Sequence, residues 1–515
     1  MFESVRWVQS KRLSAAFCLA ISACGGSAAD SDSERDLGQV SLAVNLTSAA
    51  QICSEDPRVE LGLVSQSVCV GAELFFRDEF GGNGRSCASC HPADNNYTID
   101  PDFISQLPNG DPLFIAENDS NLTNLEIPNL MRDFGLILEN VDGVESPATK
   151  FTMRSVPHCL SLSRSITPPI GTVAAPFERT GWSGDGAPND GRLRDFQTGA
   201  IFQHYTKTLA RNPATDFIQA TTAELDAIDA FMKTIGRENE LDLNTVALTD
   251  AGAASGRTLF TTPSKRCNVC HNNAGANLAN GVNQNFNTGV ERVRLAALDN
   301  LDIPLDGGFG GQGLANFNFD SNGDSTLDSF GNGTFNTPPV IEAADTGPFF
   351  HTNAFDTIEQ SVAFYASAAF NQSPAGPAGA GPISLTATEI ADLGRFLRVL
   401  NAAFNAQMAI ARVEAVIPII EEDKNSSRDL QKELARLALV EVQDALDVLS
   451  AVSGLNVAVQ GDLTSAKSFL QTASTHASHT QRGRAAEDAL DELVSANAGL
   501  GTNMSFDMGE GTLMF

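Results

Sequence analysis

The chain has 515 residues, 42% of them apolar, and a formal net charge of −30 from 63 acidic and 33 basic side chains. That length allows about two to four domains with packed cores. The acidic balance excludes a nucleic-acid-binding protein, which needs a basic surface, and suits electrostatic steering of a basic partner protein.

At the N-terminus, Arg6, Lys11 and Arg12 precede a short apolar run from Leu13 to Ala23. The run is too short to span a bilayer, so a cleaved export signal is expected over residues 1–23. It ends Ile21-Ser22-Ala23-Cys24-Gly25-Gly26, which resembles a bacterial lipoprotein box. Cys24 is then the expected site of lipidation, with plain secretion as the alternative. The resemblance implies a lipid-anchored protein on the periplasmic side of the cell envelope, sorted to the outer membrane because Gly25 and not Asp follows the cysteine. A tether rich in Ser, Asp and Gly spans 24–50, and no later segment reads as apolar enough to cross a membrane.

Nine cysteines follow the pattern 18, 24, 53, 69, 87, 90, 159, 267 and 270. Cys53 and Cys69 can pair in an oxidising compartment, and Cys159 has no evident partner. The other four form two Cys-x-x-Cys-His units, Cys87-Ala88-Ser89-Cys90-His91 and Cys267-Asn268-Val269-Cys270-His271. Two thiols three residues apart can add to the two vinyl groups of one haem, and the adjacent histidine then reaches the iron. The competing readings are a zinc site, a redox dithiol or ordinary disulfides. Two copies on an exported chain favour two covalent c-type haems. Each motif is approached by a similar segment, Gly71-Ala72-Glu73-Leu74-Phe75 and Gly256-Arg257-Thr258-Leu259-Phe260. Both are expected to be short helices whose Leu and Phe pack beside the haem.

The chain therefore divides into a first haem unit at 51–240 and a second at 241–408. The first contains a long loop-rich insert between 92 and 180, followed by Trp182 in Gly181-Trp182-Ser183-Gly184, and closes with a helical stretch from Thr222 to Ile235. The second contains a Gly/Asn/Asp-rich run at 303–334 and a Pro/Gly/Ala loop at 373–382, and closes with a helix from Thr386 to Ala402. Within that run, Asp320, Asn322, Asp324, Thr326 and Asp328 alternate like a calcium loop without its closing Glu, or equally a solvated acidic turn. Over 409–500, Leu430, Leu434, Leu437, Leu446 and Leu463 recur at helical spacing, predicting a small helical bundle; a tail covers 501–515. The histidines outside the motifs are His158, His204, His351, His476 and His479, the last two in a polar stretch.

Around the first motif, Gly71-x-x-Leu74-Phe75-x-x-Asp78 followed by Ser86-Cys87-x-Ser89-Cys90-His91 is similar to the opening of bacterial di-haem cytochrome c peroxidases. Near the second motif, Phe335-Asn336-Thr337-Pro338-Pro339, Thr346-Gly347-Pro348-Phe349-Phe350-His351 and Thr357 through Tyr365 resemble the segment of that family, MauG included, leading to the second haem's distal ligand. The resemblance covers about residues 60–405. It implies a mainly α fold of two cytochrome c-like haem domains, to which a C-terminal helical bundle is added. It implies a peroxide-reducing first haem, an electron-storing second haem and Trp182 as a relay between them. A small electron-donor protein of cytochrome c or cupredoxin type would be the partner.

Peroxidases of this family place Met at the second haem's distal position, whereas Tyr365 matches here, as in MauG-type enzymes; Met408 is the alternative ligand. The family's distal carboxylate follows a Gly-Pro pair, but Gly199-Ala200-Ile201-Phe202-Gln203-His204-Tyr205 holds no acid. His204 is then the expected proton carrier, Gln203 a positioner of peroxide, and His158 a second candidate base or ligand. No His lies between Pro92 and Val156, so the first haem is expected to be open, as in MauG. The family's inter-haem calcium would take the carbonyls of Thr346 and Pro348, with Ser155 standing where Asn is expected. Two other functions compete: a di-haem oxidase or oxygenase acting on another substrate, favoured by the missing acid, and a non-enzymatic electron carrier.

Overall fold

The computed structural model describes residues 45–140, 151–166, 178–184, 192–303, 305–308, 325, 329–376, 381–422 and 427–515. The expected signal, Cys24 and the Asp320–Asp328 loop lie outside these residues. The architecture is mainly helical. The longer helices are α1 (Leu46–Ser54), α2 (Gln66–Arg77), α3 (Leu193–His204), α4 (Thr222–Met232), α5 (Ala251–Thr261), α6 (Ile358–Phe364), α7 (Ala387–Glu421), α8 (Arg428–Ser450), α9 (Val457–Thr475) and α10 (His479–Leu500). Among the described residues the strands form three two-stranded sheets. They pair β1 (Leu136–Asn140) with β2 (Phe151–Ser155), β3 (Ala247–Leu248) with β6 (Gly501–Thr502), and β4 (Leu305–Gly307) with β5 (Ser329–Gly331).

Helix starts follow local chemistry. Thr221 with Glu224 and Thr386 with Glu389 form reciprocal capping boxes on α4 and α7, and Ser65 and Asp250 cap α2 and α5 through their side chains. Each cap satisfies amide groups that a helix start leaves unpaired.

Two crossed helix pairs carry the two Cys-x-x-Cys-His motifs: α2 packs on α4, and α5 packs on α7. The glycine of each approach segment permits the close crossing. A Cβ at Gly71 would collide with the Ala227 carbonyl oxygen and come within 2.9 Å of Phe231 Cβ; one at Gly256 would collide with the Asp392 carbonyl oxygen and come within 2.8 Å of Phe396 Cβ. Phe75 and Phe260 line the cavity beside the motifs. Leu74 does not: it is fully buried in the core behind Phe75. Successive helical residues point about 100° apart, so only one member of each Leu-Phe pair faces the cavity.

The boundary expected at residue 408 falls within α7, a single helix of 35 residues that begins against the second motif and ends in the C-terminal bundle. This helix is long and apolar enough to cross a membrane, contrary to the sequence reading, but 72% of its apolar window is buried. Its apolar character therefore serves packing: α8 and α10 both lie against it, and α9 closes the bundle. The tail is also built in. Thr512 and Met514 are fully buried, Arg58 donates to the Leu513 carbonyl at 2.7 Å, and Glu510 caps α2 by accepting from the Ser65 amide at 2.6 Å. Cys53 and Cys69 form a disulfide between α1 and α2.

Replacing Gly71 or Gly256 with Ala would force the crossed helices apart. Such overpacking costs about 1–3 kcal/mol, so each variant is expected to unfold at lower urea than the parent, with an unchanged slope of the transition.

Candidate functional site

A cavity of about 1140 Å³ runs between the two motifs and is lined by Cys87, Cys90 and His91 at one part and Cys267, Cys270 and His271 at another. Its volume exceeds the several hundred Å³ usual for a small ligand. None of the four cysteines is in a disulfide. Burial pushes the thiols of Cys87, Cys90 and Cys267 up to about 11, which disfavours a reactive dithiol, since thiolate is the reactive form. Among the described residues no group of three or more His, Cys, Asp or Glu is placed to hold a metal ion, which disfavours zinc at either motif.

Both motif histidines are held in the same way. His91 Nδ1 donates to the Tyr97 carbonyl at 2.8 Å, and His271 Nδ1 donates to the Pro338 carbonyl at 3.0 Å. A carbonyl can only accept, so Nδ1 carries the proton and Nε2 keeps its lone pair for an iron. Burial holds both imidazoles down to about 4, which keeps them neutral and able to ligate at neutral pH. The residues thus fit a covalently attached haem at each motif.

Around the first motif the structure gathers groups from three segments. Arg85, immediately before it, is almost fully buried and donates to the carbonyls of Pro112 and Leu113 and to Glu126 at 2.9 Å. The Tyr205 hydroxyl donates to Cys87 Sγ at 3.2 Å. Gln203 and His204, at the end of α3, both line the cavity. Gln203 Oε1 accepts from the Asn140 amide at 3.0 Å. His204 Nδ1 lies 3.9 Å from Glu126, and burial together with Arg85 and Arg211 holds its imidazole down to about 3. His204 is therefore a neutral imidazole and a poor proton store.

The acid missing from 199–205 is supplied elsewhere. Glu139, on β1, lines the cavity, and its carboxylate is hydrogen-bonded by the Gln203 side chain. Burial raises its pKa, opposed chiefly by Arg154 on β2. Arg154 in turn forms a bidentate pair with Asp306 at 2.6 and 2.8 Å. The hairpin lies within the loop-rich insert at 92–180 and corrects one expectation: the pocket does not lack a carboxylate. Leu136-Ile137-Leu138 is a short apolar run of the kind a strand uses, and in the structure burial alternates along it, with Leu136 and Leu138 inside. The contact of Glu139 with Gln203 is long-range and leaves no local trace.

His158 also lines the cavity but answers to other charges, the Glu342 and Arg237 pair, and its Nδ1 is buried without a hydrogen-bond partner. Its neighbour Cys159 has Sγ 3.3 Å from His91 Nδ1, which gives that cysteine the partner the sequence did not reveal. Trp182 lines the cavity, donates from Nε1 to the Ser155 carbonyl at 2.8 Å and meets His351 edge-on at 6.5 Å. Tyr365 lies at the cavity wall beside Cys270 and Cys267, packed on Phe364 and Phe370; burial raises its phenol. Met408 is fully buried in the bundle core and is not part of the cavity lining, so it does not compete with Tyr365 for the second motif.

Thr346 and Pro348, whose carbonyls are the expected calcium donors, line the cavity together with Ser155. The Thr346 hydroxyl donates to the carbonyls of Glu342 and Ala343, and the Ser155 hydroxyl donates to that of Phe350 at 3.1 Å.

No protein-family model matches the chain, and no curated protein is significantly similar to it. Among solved structures it is similar to a MauG-like protein associated with microbial copper homeostasis, at 18% identity over 65% of this chain and 88% of that one, with a TM-score of 0.36. It is also similar to the hydrazine synthase of Kuenenia stuttgartiensis, at 14% identity over 74% of this chain and 99% of that one, with a TM-score of 0.31.

His351 offers a clean electrostatic test. It is buried, stacked on Phe335 at 4.1 Å, and held down to about 4, mainly by burial. As pH falls below its unfolded value of about 6.5, the unfolded chain takes the proton first. Stability present above that pH is then lost towards pH 4, by up to about 1.4 kcal/mol per pH unit. Urea unfolding of His351→Asn between pH 7 and 4 is expected to show a shallower decline than the parent.

Proposed function

We propose that the chain is a di-haem c-type oxidoreductase that reduces hydrogen peroxide at the first motif with electrons relayed through the second. The observation that carries this reading is that both Cys-x-x-Cys-His motifs open onto one cavity with each histidine's Nδ1 tied to a backbone carbonyl. The two crossed helix pairs, each closed by a glycine contact, support two cytochrome c-like units. Haem iron would supply the one-electron chemistry when bound.

The reaction requires peroxide to take up two electrons and two protons to give two waters. Glu139 is the residue placed to hold and deliver a proton: it faces the cavity, and burial raises its carboxyl pKa above the ordinary carboxylate value. Gln203 positions it by hydrogen bonding. His204, neutral and beside Glu126, shapes the pocket, and His158 stays a further proton-carrying candidate on the Glu342 side. Trp182, in the shared cavity wall, is the proposed relay. Tyr365 is the proposed distal ligand at the second motif, where an anionic phenolate would favour the oxidised state. Glu139 also favours peroxide reduction over an oxidase or oxygenase, a reading that rested on an acid-free pocket. The reading further includes a lipid anchor at Cys24, the periplasmic side of the envelope, and a small basic electron-donor protein drawn to the acidic surface.

The holoprotein is expected to yield two haems per chain by pyridine haemochromogen assay, and one after Cys267→Ala and Cys270→Ala together. Titrating peroxide into the oxidised holoprotein should give a stoichiometric change in haem absorption. No change, even after one-electron reduction, would overturn the peroxidase reading. Glu139→Gln is expected to slow peroxide consumption by about 10²–10⁴-fold while leaving the haem count at two.

A further inference from the structure

The C-terminal bundle and tail contribute nothing to the cavity lining, yet both close on the loop that holds His91. Tyr97, whose carbonyl takes the His91 Nδ1 proton, is fully buried, and its hydroxyl donates to the Met514 carbonyl at 3.4 Å. Asn96 beside it donates to Asp444 on α8 at 3.3 Å, and Asp94 pairs with Arg436 on α8 at 3.2 Å. Asn96 and Tyr97 both have positive φ, 55° and 53°. Asn tolerates that conformation. Tyr rarely adopts it unless its surroundings enforce it.

Charge accompanies the clamp. Arg412 on α7 and Glu441 on α8 are buried next to the Tyr97 phenol and pair with each other at 2.6 Å. Arg412 also donates to the Thr512 carbonyl of the tail at 3.1 Å. Arg412 Nη2 and Glu441 Oε2 are buried without partners, so this pair is held by the packing around it and not by solvent. At the second motif His271 uses the Pro338 carbonyl, and among the described residues no hydrogen bond from the bundle or tail to Pro338 is seen.

We propose that the C-terminal bundle and tail tune the redox centre at the first motif, with Asn96 and Tyr97 as positioning residues that fix the carbonyl on His91 Nδ1 and Glu441 balancing the buried charge of Arg412 behind it. This rests on the haem reading of the first motif. A firm Nδ1–H bond makes the imidazole a more basic ligand and favours oxidised iron. Loosening the loop, or leaving Arg412 uncompensated, favours reduced iron instead.

The test is a spectroelectrochemical titration of the holoprotein, with the two haems assigned by the variant lacking Cys267 and Cys270. Glu441→Gln keeps an acceptor for Arg412 but removes the negative charge; Asn96→Ala removes the tie to Asp444 and decides the matter if the first variant does not fold. Each is expected to shift the first haem's reduction equilibrium by about tenfold, about 59 mV upward for one electron, with the second haem unmoved. If both haems are bound and neither shifts, or both shift alike, the tuning role is overturned and the di-haem reading stands. If the parent carries no haem at Cys87 and Cys90, the haem reading fails and this inference with it.

Discussion

The hydrogen bond from each motif histidine to a main-chain carbonyl is the constraint around which the functional region is arranged. It settles which ring nitrogen carries the proton, turns Nε2 to the other side, and does so with a backbone atom that no side-chain substitution can remove. The cost is that the carbonyls of Tyr97 and Pro338 must be held in place. At Tyr97 this requires a left-handed backbone at a bulky residue, and residues of α7, α8 and the tail stand against it.

Desolvation sets the chemistry of the cavity. With few exceptions its titratable groups are driven towards their neutral forms: His91, His204 and His271 are held down, while Glu139, Tyr365 and the motif thiols are pushed up. The charges that persist are paired, Arg85 with Glu126 and Arg154 with Asp306. Burying such charges is tolerable only with full hydrogen bonding, and both arginines have it from carbonyls, carboxylates or a serine hydroxyl. Glu139 lines the same cavity, its carboxyl pushed up by burial. The chain has three tyrosines, and each stands at a motif: Tyr97 behind His91, Tyr205 on Cys87 and Tyr365 beside Cys270.

The duplication of glycine, helix pair and motif also explains the long α7. It must cross α5 at the second motif and still present a buried face to the bundle, so it is apolar on nearly every side over much of its length. Such a helix resembles a membrane span in composition while serving as the shared wall between the second motif and the C-terminal helices.

By itself the sequence showed the duplicated motif. Cys-x-x-Cys-His is contiguous, so both copies are visible without a structure, and the two Gly-x-x-Leu-Phe approaches follow from helical periodicity. The Cys53–Cys69 pair and the helical character of 409–500 were legible for the same local reason. Tertiary structure alone decided the rest, because each remaining feature joins residues far apart in the chain. Glu139 meets Gln203 across a hairpin inside the loop-rich insert, and Cys159 finds His91. Met408 turns away from the second motif into the bundle. The bundle and tail, compositionally unremarkable, close on Asn96 and Tyr97 because burying their apolar faces against α7 carries Asp444, Glu441 and Met514 to that loop.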